Sequence, residues 1–175
     1  MNYKELSQVL NEPQKIQDGA EQSMEALINE LIAEEYIQWY QYFTVYLYLV
    51  GTPNANEIAD KFRQWADDEL HDHAERLMNR LNELNMQFTL LTPESWASAS
   101  TAPLNVAPVT DVINQLRINK DSEMHAITRY QGAIRVAEAM DDTTTADLFK
   151  HILADEEEHH SDILDFIQNL QTLNI

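Results

Sequence analysis

The chain has 175 residues, 44% of them hydrophobic, and its 11 basic and 30 acidic side chains leave a formal charge of -19. That length and apolar content exclude a disordered chain and provide for a sizeable core. The charge disfavours nucleic acid and anionic membranes as partners and favours cations, while the absence of cysteine excludes disulfides, thiolate metal sites, iron–sulfur clusters and cysteine nucleophiles.

Residues 1–19 read as an N-terminal segment with a weak helical pattern, a break at Pro13 and no apolar stretch of the secretory kind. Residues 20–175 read as one domain, expected in the cytoplasm. Its first helix is predicted over about 20–50 and stops at the breakers "GTPNAN". The apolar run "YIQWYQYFTVYLYLV" inside it is interrupted by Gln38 and Gln41 and is too short for a membrane span. Steps of three, four and seven from Glu35 reach Ile28, Leu31, Ile32, Trp39, Tyr42, Tyr46 and Leu49, so Glu35 lies in the apolar face. Glu34 shares a face with Glu30, Gln38 and Gln41, which is expected to meet solvent.

The second helix, over about 55–84, carries the stripe Phe62, Ala66, Leu70, Leu77, Leu81 and Leu84. Two polar pairs compete within "WADDELHDHAERLMNRL". Asp68 and His71 align with Lys61, Gln64 and Glu75, a polar face. His73 aligns with Ala66, Leu70, Leu77 and Leu81, and Glu69 with Phe62 and Trp65, which favours Glu69 and His73. Their spacing of four is one longer than a Glu-x-x-His pair; a π-bulge between them would restore the three-residue geometry.

The next stretch, "NMQFTLLTPESWASASTAPLNVAP", holds three of the five prolines and no periodicity. It is expected to be a long crossover with a short helix near "PESWAS". A third helix over about 109–140 places Glu123 on a stripe with Leu116, Ile127, Tyr130 and Ile134. In "DDTTTAD", Asp141, Asp142 and the threonines can cap the fourth helix, which runs to about residue 170. There, Glu156 and His159 fall in line with Ile152 and Ile163 as an inward Glu-x-x-His pair. Glu157 and His160, on the edge of Leu153, Leu164 and Ile167, are the alternative; Asp155 and Glu158 point outward. The fold class is all-α, an antiparallel four-helix bundle with one long crossover connection. The inner-stripe aromatics Trp39, Tyr42 and Tyr130 are read as core.

A single charged residue on a helix is usually solvated. Four inward carboxylates together are another matter, because burying them uncompensated costs several kcal/mol each, by an order-of-magnitude argument. Two divalent cations remove that cost. Four Glu and two His drawn from four helices match the pattern of di-iron or di-manganese carboxylate proteins.

These motifs resemble the ferritin-like superfamily. "EEYIQWYQYF" is similar to the first-helix motif of bacterioferritins and Dps-like ferritins, with Glu35 ahead of Gln41 and Tyr42. "DSEMHAITRYQGAI" resembles the third-helix motif, with Glu123, and "ILADEEEHHSDIL" the fourth, with Glu156 and His159. "ELHDHAERLMNRL" resembles the second, with Glu69 and His73, though with one extra residue between them. The Trp-containing crossover and the aromatic first helix are similar to the Dps-like branch. That resemblance implies a ferroxidase with two iron ions per subunit (manganese and zinc also suit such donors), Glu35 and His73 on one, Glu123 and His159 on the other, and Glu69 and Glu156 bridging. It implies oxidation of Fe(II) by hydrogen peroxide or O2, and ferric mineral stored in a homo-oligomeric cage of twelve subunits. The chain departs from the branch in having no cysteine pair near the site; His125 stands close to one of those positions. Leu70 occupies the place of a haem-ligating Met, so no haem is expected. Lys4 and Lys15 among acidic neighbours make no basic tail, so no DNA partner is expected. The competing readings are a di-manganese catalase or rubrerythrin-like peroxidase without mineral, and a metal-free interaction bundle.

Overall fold

A computed structural model of the chain describes residues 16–53, 55–92, 96 and 110–172, with side chains of the first helix from Met24 onward. Among these there are only helices: α1 (Ile16–Leu49), α2 (Asn56–Asp67), a π-helical segment π1 (Asp68–Ala74), α3 (Glu75–Glu83), α4 (Val112–Ala139) and α5 (Thr143–Thr172). Because α2, π1 and α3 run on without a break, the bundle has four long helices, as the periodicity predicts. Helix α1 starts at Ile16, a few residues ahead of the start predicted near residue 20. One Gly costs a helix only about 1 kcal/mol relative to Ala, and Gly19 does not stop this one. The expected break at Pro13 and nearly all of the short helix near "PESWAS" lie outside the described residues.

Two apolar clusters fill the bundle. One joins Met24, Ile28 and Leu31 of α1 to Leu77 and Leu81 of α3, Ala133 of α4 and Phe149 and Ile152 of α5. The other joins Tyr42, Val45 and Leu49 of α1 to Phe62 and Trp65 of α2, Leu116 of α4 and Ile163 and Ile167 of α5. On every helix the residues between the clusters include the carboxylates and imidazoles singled out above. The order of the clusters also gives the topology. Helices α1 and α5 run from the first cluster to the second, and the second helix and α4 run the other way. Two consecutive parallel helices need a connection as long as the bundle. Its first part follows α1: Thr89 N donates to Asn29 Oδ1 (2.8 Å), Asn29 Nδ2 donates to the Gln87 carbonyl (2.9 Å), and Trp96 packs edge-on to Tyr40.

Left-handed residues end three of these helices. Gly51 (φ 85°) follows α1, Asn85 (φ 55°) follows α3 and Asp141 (φ 56°) follows α4. Gly, Asn and Asp adopt this conformation at least cost. Beyond Asp141, the Asp142 carboxylate accepts the Thr145 N–H (3.0 Å) as the N-cap of α5, and Arg80 reaches it from α3 at 3.0 Å. Replacing Asp142 with Ala removes a cap and a tie between three helices. The expected cost is about 1–2 kcal/mol, a Tm lower by roughly 3–6 °C in a thermal melt.

Candidate metal centre

Six side chains meet between the two apolar clusters: Glu35 from α1, Glu69 and His73 from π1, Glu123 from α4, and Glu156 and His159 from α5. None is more than 4% exposed. Their donor atoms form two overlapping sets. In one, Glu35, Glu69, His73 and Glu156 each offer an atom within 4.8 Å of the others; in the second, Glu69, Glu123, Glu156 and His159 do. Glu69 and Glu156 belong to both. All six inward side chains read from the periodicity are therefore brought together. Asp68 and His71 do not replace Glu69 and His73, since His71 is exposed. Glu157 is exposed too, and His160 only half-buried.

The local backbone explains how the second helix joins in. Glu156 and His159 lie three apart on a regular α-helix, so they share a face. Glu69 and His73 lie four apart, and the helix is π-helical from Asp68 to Ala74. The extra residue in that turn lets His73 stand to Glu69 as His159 stands to Glu156. The contacts are correspondingly two-fold. His73 Nδ1 lies 3.1 Å from Glu69 and 3.4 Å from Glu156. His159 Nδ1 lies 3.5 Å from Glu69 and 3.7 Å from Glu156. His73 Nδ1 also meets Glu35 at 3.2 Å, and the Tyr130 hydroxyl donates to the other oxygen of Glu35.

Each outer nitrogen lies within ion-pair distance, though not in a formed hydrogen bond, of a carboxylate that the periodicity assigned to solvent. His73 Nε2 faces Asp155 at 3.5 Å, and His159 Nε2 faces Asp68 at 3.4 Å. Each Asp directly precedes the shared Glu of its own helix and serves the His of the other. The signal was the dipeptide Asp-Glu, present in both "DELHDH" and "DEEEHH". A carboxylate on the outer nitrogen fixes an imidazole's tautomer and leaves Nδ1 as the donor. Asp68→Asn and Asp155→Asn should each weaken metal binding about 10–100-fold, measured by competition with a chelator, with the fold intact by circular dichroism.

The α1 face also differs from the expected one. Glu34, Gln38 and Gln41 are buried. Glu34 meets Arg129 of α4 at 3.2 Å, because α4 packs over this face. Gln38 Nε2 donates to Glu123 Oε1 (3.1 Å), and Ser122 Oγ donates to Gln38 Oε1 (2.7 Å).

Electrostatics define what the cluster needs. Burial, then the neighbouring Glu69, raise the Glu35 carboxyl well above its ordinary 4.5; burial, then Glu156, do the same to Glu123. Burial pulls both imidazoles down, but the carboxylates win. Glu156 and Asp155 lead in raising His73 well above 6.5, and Asp68 and Glu156 lead for His159. Burial opposes ionisation of Glu156 as well, yet His73 and His159 hold it well below the usual carboxylate range. Protons thus neutralise the cluster when no cation does.

The donor set fits divalent cations. Buried Glu69 Oε1, Glu123 Oε2, Glu156 Oε2 and His159 Nδ1 have no hydrogen-bond partner, and these four residues are the members of the second donor set. Carboxylate oxygen with imidazole nitrogen suits iron, manganese or zinc. An opening of about 330 Å³ leads to the site between the second helix and α5, with Asp68, Asp155 and His159 in its lining. Glu158 adds further negative charge there, while Asp162 and Asp72 are paired with Lys61 (2.6 Å) and Arg76 (2.8 Å) of the same lining. No helix among the described residues is long and apolar enough to cross a membrane.

A comparison with curated protein sequences gives no match. The fold is that of several solved structures. A ferritin-like, diiron-carboxylate protein from Bacillus anthracis shares 21% identity over 85% of this chain and 97% of its own, with a TM-score of 0.70. Bacterioferritin from Desulfovibrio desulfuricans, described with a diiron site, shares 22% identity over 89% of this chain and 84% of its own, TM-score 0.76. Dps from Thermosynechococcus elongatus shares 15% identity over 85% and 92%, TM-score 0.76. The family model for the ferritin-like domain matches residues 25–173, so the chain belongs to the ferritin-like domain family.

Proposed function

We propose that this protein is a ferroxidase that takes up Fe(II) as substrate, oxidises it with hydrogen peroxide or O2, and stores the ferric product as mineral in a homo-oligomeric cage. The observation that carries this reading is the pair of overlapping four-donor sets sharing Glu69 and Glu156. Glu35 and His73 hold one ion, Glu123 and His159 the other, and the shared carboxylates span both. Two-metal sites generally hold their ions about 3.5–4 Å apart. Two Fe(II) ions supply one electron each: the O–O bond of peroxide breaks, two protons are taken up, and two waters leave. With O2, the same two electrons and two protons give one peroxide.

The protein's own groups prepare this chemistry. Tyr130 orients Glu35, Gln38 orients Glu123, and Asp68 and Asp155 set the two imidazoles. The acidic opening between the second helix and α5 draws cations towards His159. The charge of -19 suits a carboxylate-lined mineral cavity. The Dps-like first helix and crossover favour a cage of twelve subunits in the cytoplasm, with no DNA-binding role. The test is anaerobic addition of Fe(II), then peroxide or O2, while following absorbance and particle mass. Two Fe(II) bound per chain, rapid oxidation and a growing dodecamer mass are expected. A His159→Ala variant that binds and oxidises iron as the wild type does would refute the reading.

A further inference from the structure

The site has a second approach, on the side away from the acidic opening. A narrow crevice between α1 and α4 is lined by Glu35, Glu69 and Glu156 together with Gln38 and Ser122. Its free space is about 10 Å³, about what one water needs, so it seats a single oxygen atom of a small molecule. The wider opening on the opposite face suits a hydrated cation, and this one suits a small neutral molecule. From these features we infer that Gln38 docks hydrogen peroxide in the crevice, with Ser122 fixing the amide. The inference rests on the ferroxidase reading and names its oxidant.

The amide is pinned at both ends. Ser122 Oγ donates to Gln38 Oε1 at 2.7 Å, so Nε2 must be the end that faces Glu123 Oε1, at 3.1 Å. An amide nitrogen has two N–H donors. One is used on Glu123, and the second has no partner among the described residues. The hydroxyl of Ser122 gives its hydrogen to Gln38 and keeps lone pairs as acceptors. The crevice therefore presents a donor and an acceptor side by side. Peroxide is both a donor and an acceptor; O2 donates nothing and accepts weakly. Neither residue is ionisable, so the negative cluster gains no further charge. Gln38 is buried and hydrogen-bonds Glu123, so a molecule docked on it stands beside the donor set.

The experiment is stopped-flow oxidation of protein loaded anaerobically with two Fe(II) per chain, with peroxide or O2 in separate runs. The readout is the ratio of the two rate constants. Gln38→Leu should lower the peroxide-to-O2 ratio about tenfold, the scale of one hydrogen bond made to the reacting molecule. Ser122→Ala should lower it by a smaller factor, and Ser122→Thr should restore it. If both oxidants slow alike, or if one Fe(II) is lost, Gln38 acts only by supporting Glu123 and docking is overturned. Should Gln38→Leu not fold, the Ser122→Ala ratio decides in the same way. Wild-type protein that oxidises Fe(II) with neither reagent would overturn the ferroxidase reading itself.

Discussion

Glu156→Gln should deprive the protein of both bound Fe(II) ions, whereas Glu35→Ala or Glu123→Ala should each cost one. Glu156 offers a donor to both four-atom sets, while Glu35 and Glu123 each serve one. It also lies between the two imidazoles, 3.4 Å from His73 Nδ1 and 3.7 Å from His159 Nδ1. An amide in its place keeps the shape but removes a charge and one acceptor. Loss of an outer partner of a metal ligand costs roughly 10–100-fold in affinity, so loss of a shared ligand should cost at least about 100-fold at each ion. Iron oxidation should fall with it. Anaerobic titration with Fe(II), or with Zn(II) as a redox-silent probe, gives the stoichiometry directly. Two ions still bound at wild-type affinity would remove Glu156 from its shared role. The metal-free variant will also be less stable, because His73 and His159 lose their common counter-charge. Breaking a buried ion pair from one side costs about 3–5 kcal/mol.

How much of this was legible in the sequence depends on what sets each residue's position. Helical periodicity reports which side chains face the bundle axis, and it located Glu35, Glu69, His73, Glu123, Glu156 and His159. The π-helical turn was legible as an anomaly, one residue too many between Glu69 and His73. Periodicity cannot report how far a neighbouring helix extends over the edge of a stripe. Glu34, Gln38 and Gln41 sit on such an edge and are buried; from α4, Arg129 meets Glu34 and Ser122 meets Gln38. Asp68 and Asp155 fail for the same reason: each is half-exposed on its own helix and acquires its role from an imidazole on another. The helix start at Ile16 was obscured by Gly19, which costs a helix only about 1 kcal/mol relative to Ala and does not stop it.

The layer of charge between two apolar clusters is an unstable arrangement unless it is neutralised. Packing Leu, Phe and Trp above and below it removes water from the carboxylates, and that dehydration strengthens every interaction within the layer. Protons and divalent cations then compete for the same atoms. The bundle can be closed and protonated, or closed and metal-loaded; a charged layer holding neither is the costly state.

That competition fixes a pH dependence. In the metal-free protein the carboxyls of Glu35 and Glu123 are raised well above 4.5, and the imidazoles of His73 and His159 well above 6.5. A group raised in the folded state stabilises it fully below its unfolded value and ceases to do so as pH rises through the folded value. Glu69, Glu156 and Asp155 are lowered, so their contribution is present above the unfolded values and is lost on acidification. The metal-free protein should therefore be most stable near pH 4.5, weaken above it as Glu35 and Glu123 lose their contribution, and weaken more steeply above about 6.5 as His73 and His159 follow. Two bound cations displace the protons of Glu35, Glu123, His73 and His159, so metal affinity rises with pH. A ligand at 100 times its Kd adds about 2.7 kcal/mol to stability. The gain in Tm on adding Zn(II) or Fe(II) should thus be small at about pH 5 and grow steadily to about pH 8. Thermal melts across that range, with a pH-stat measurement of proton release on metal binding, check both halves. A metal-free Tm that climbs through this range, with a metal-induced gain that stays flat, would show that protons and metal do not share these six ligands.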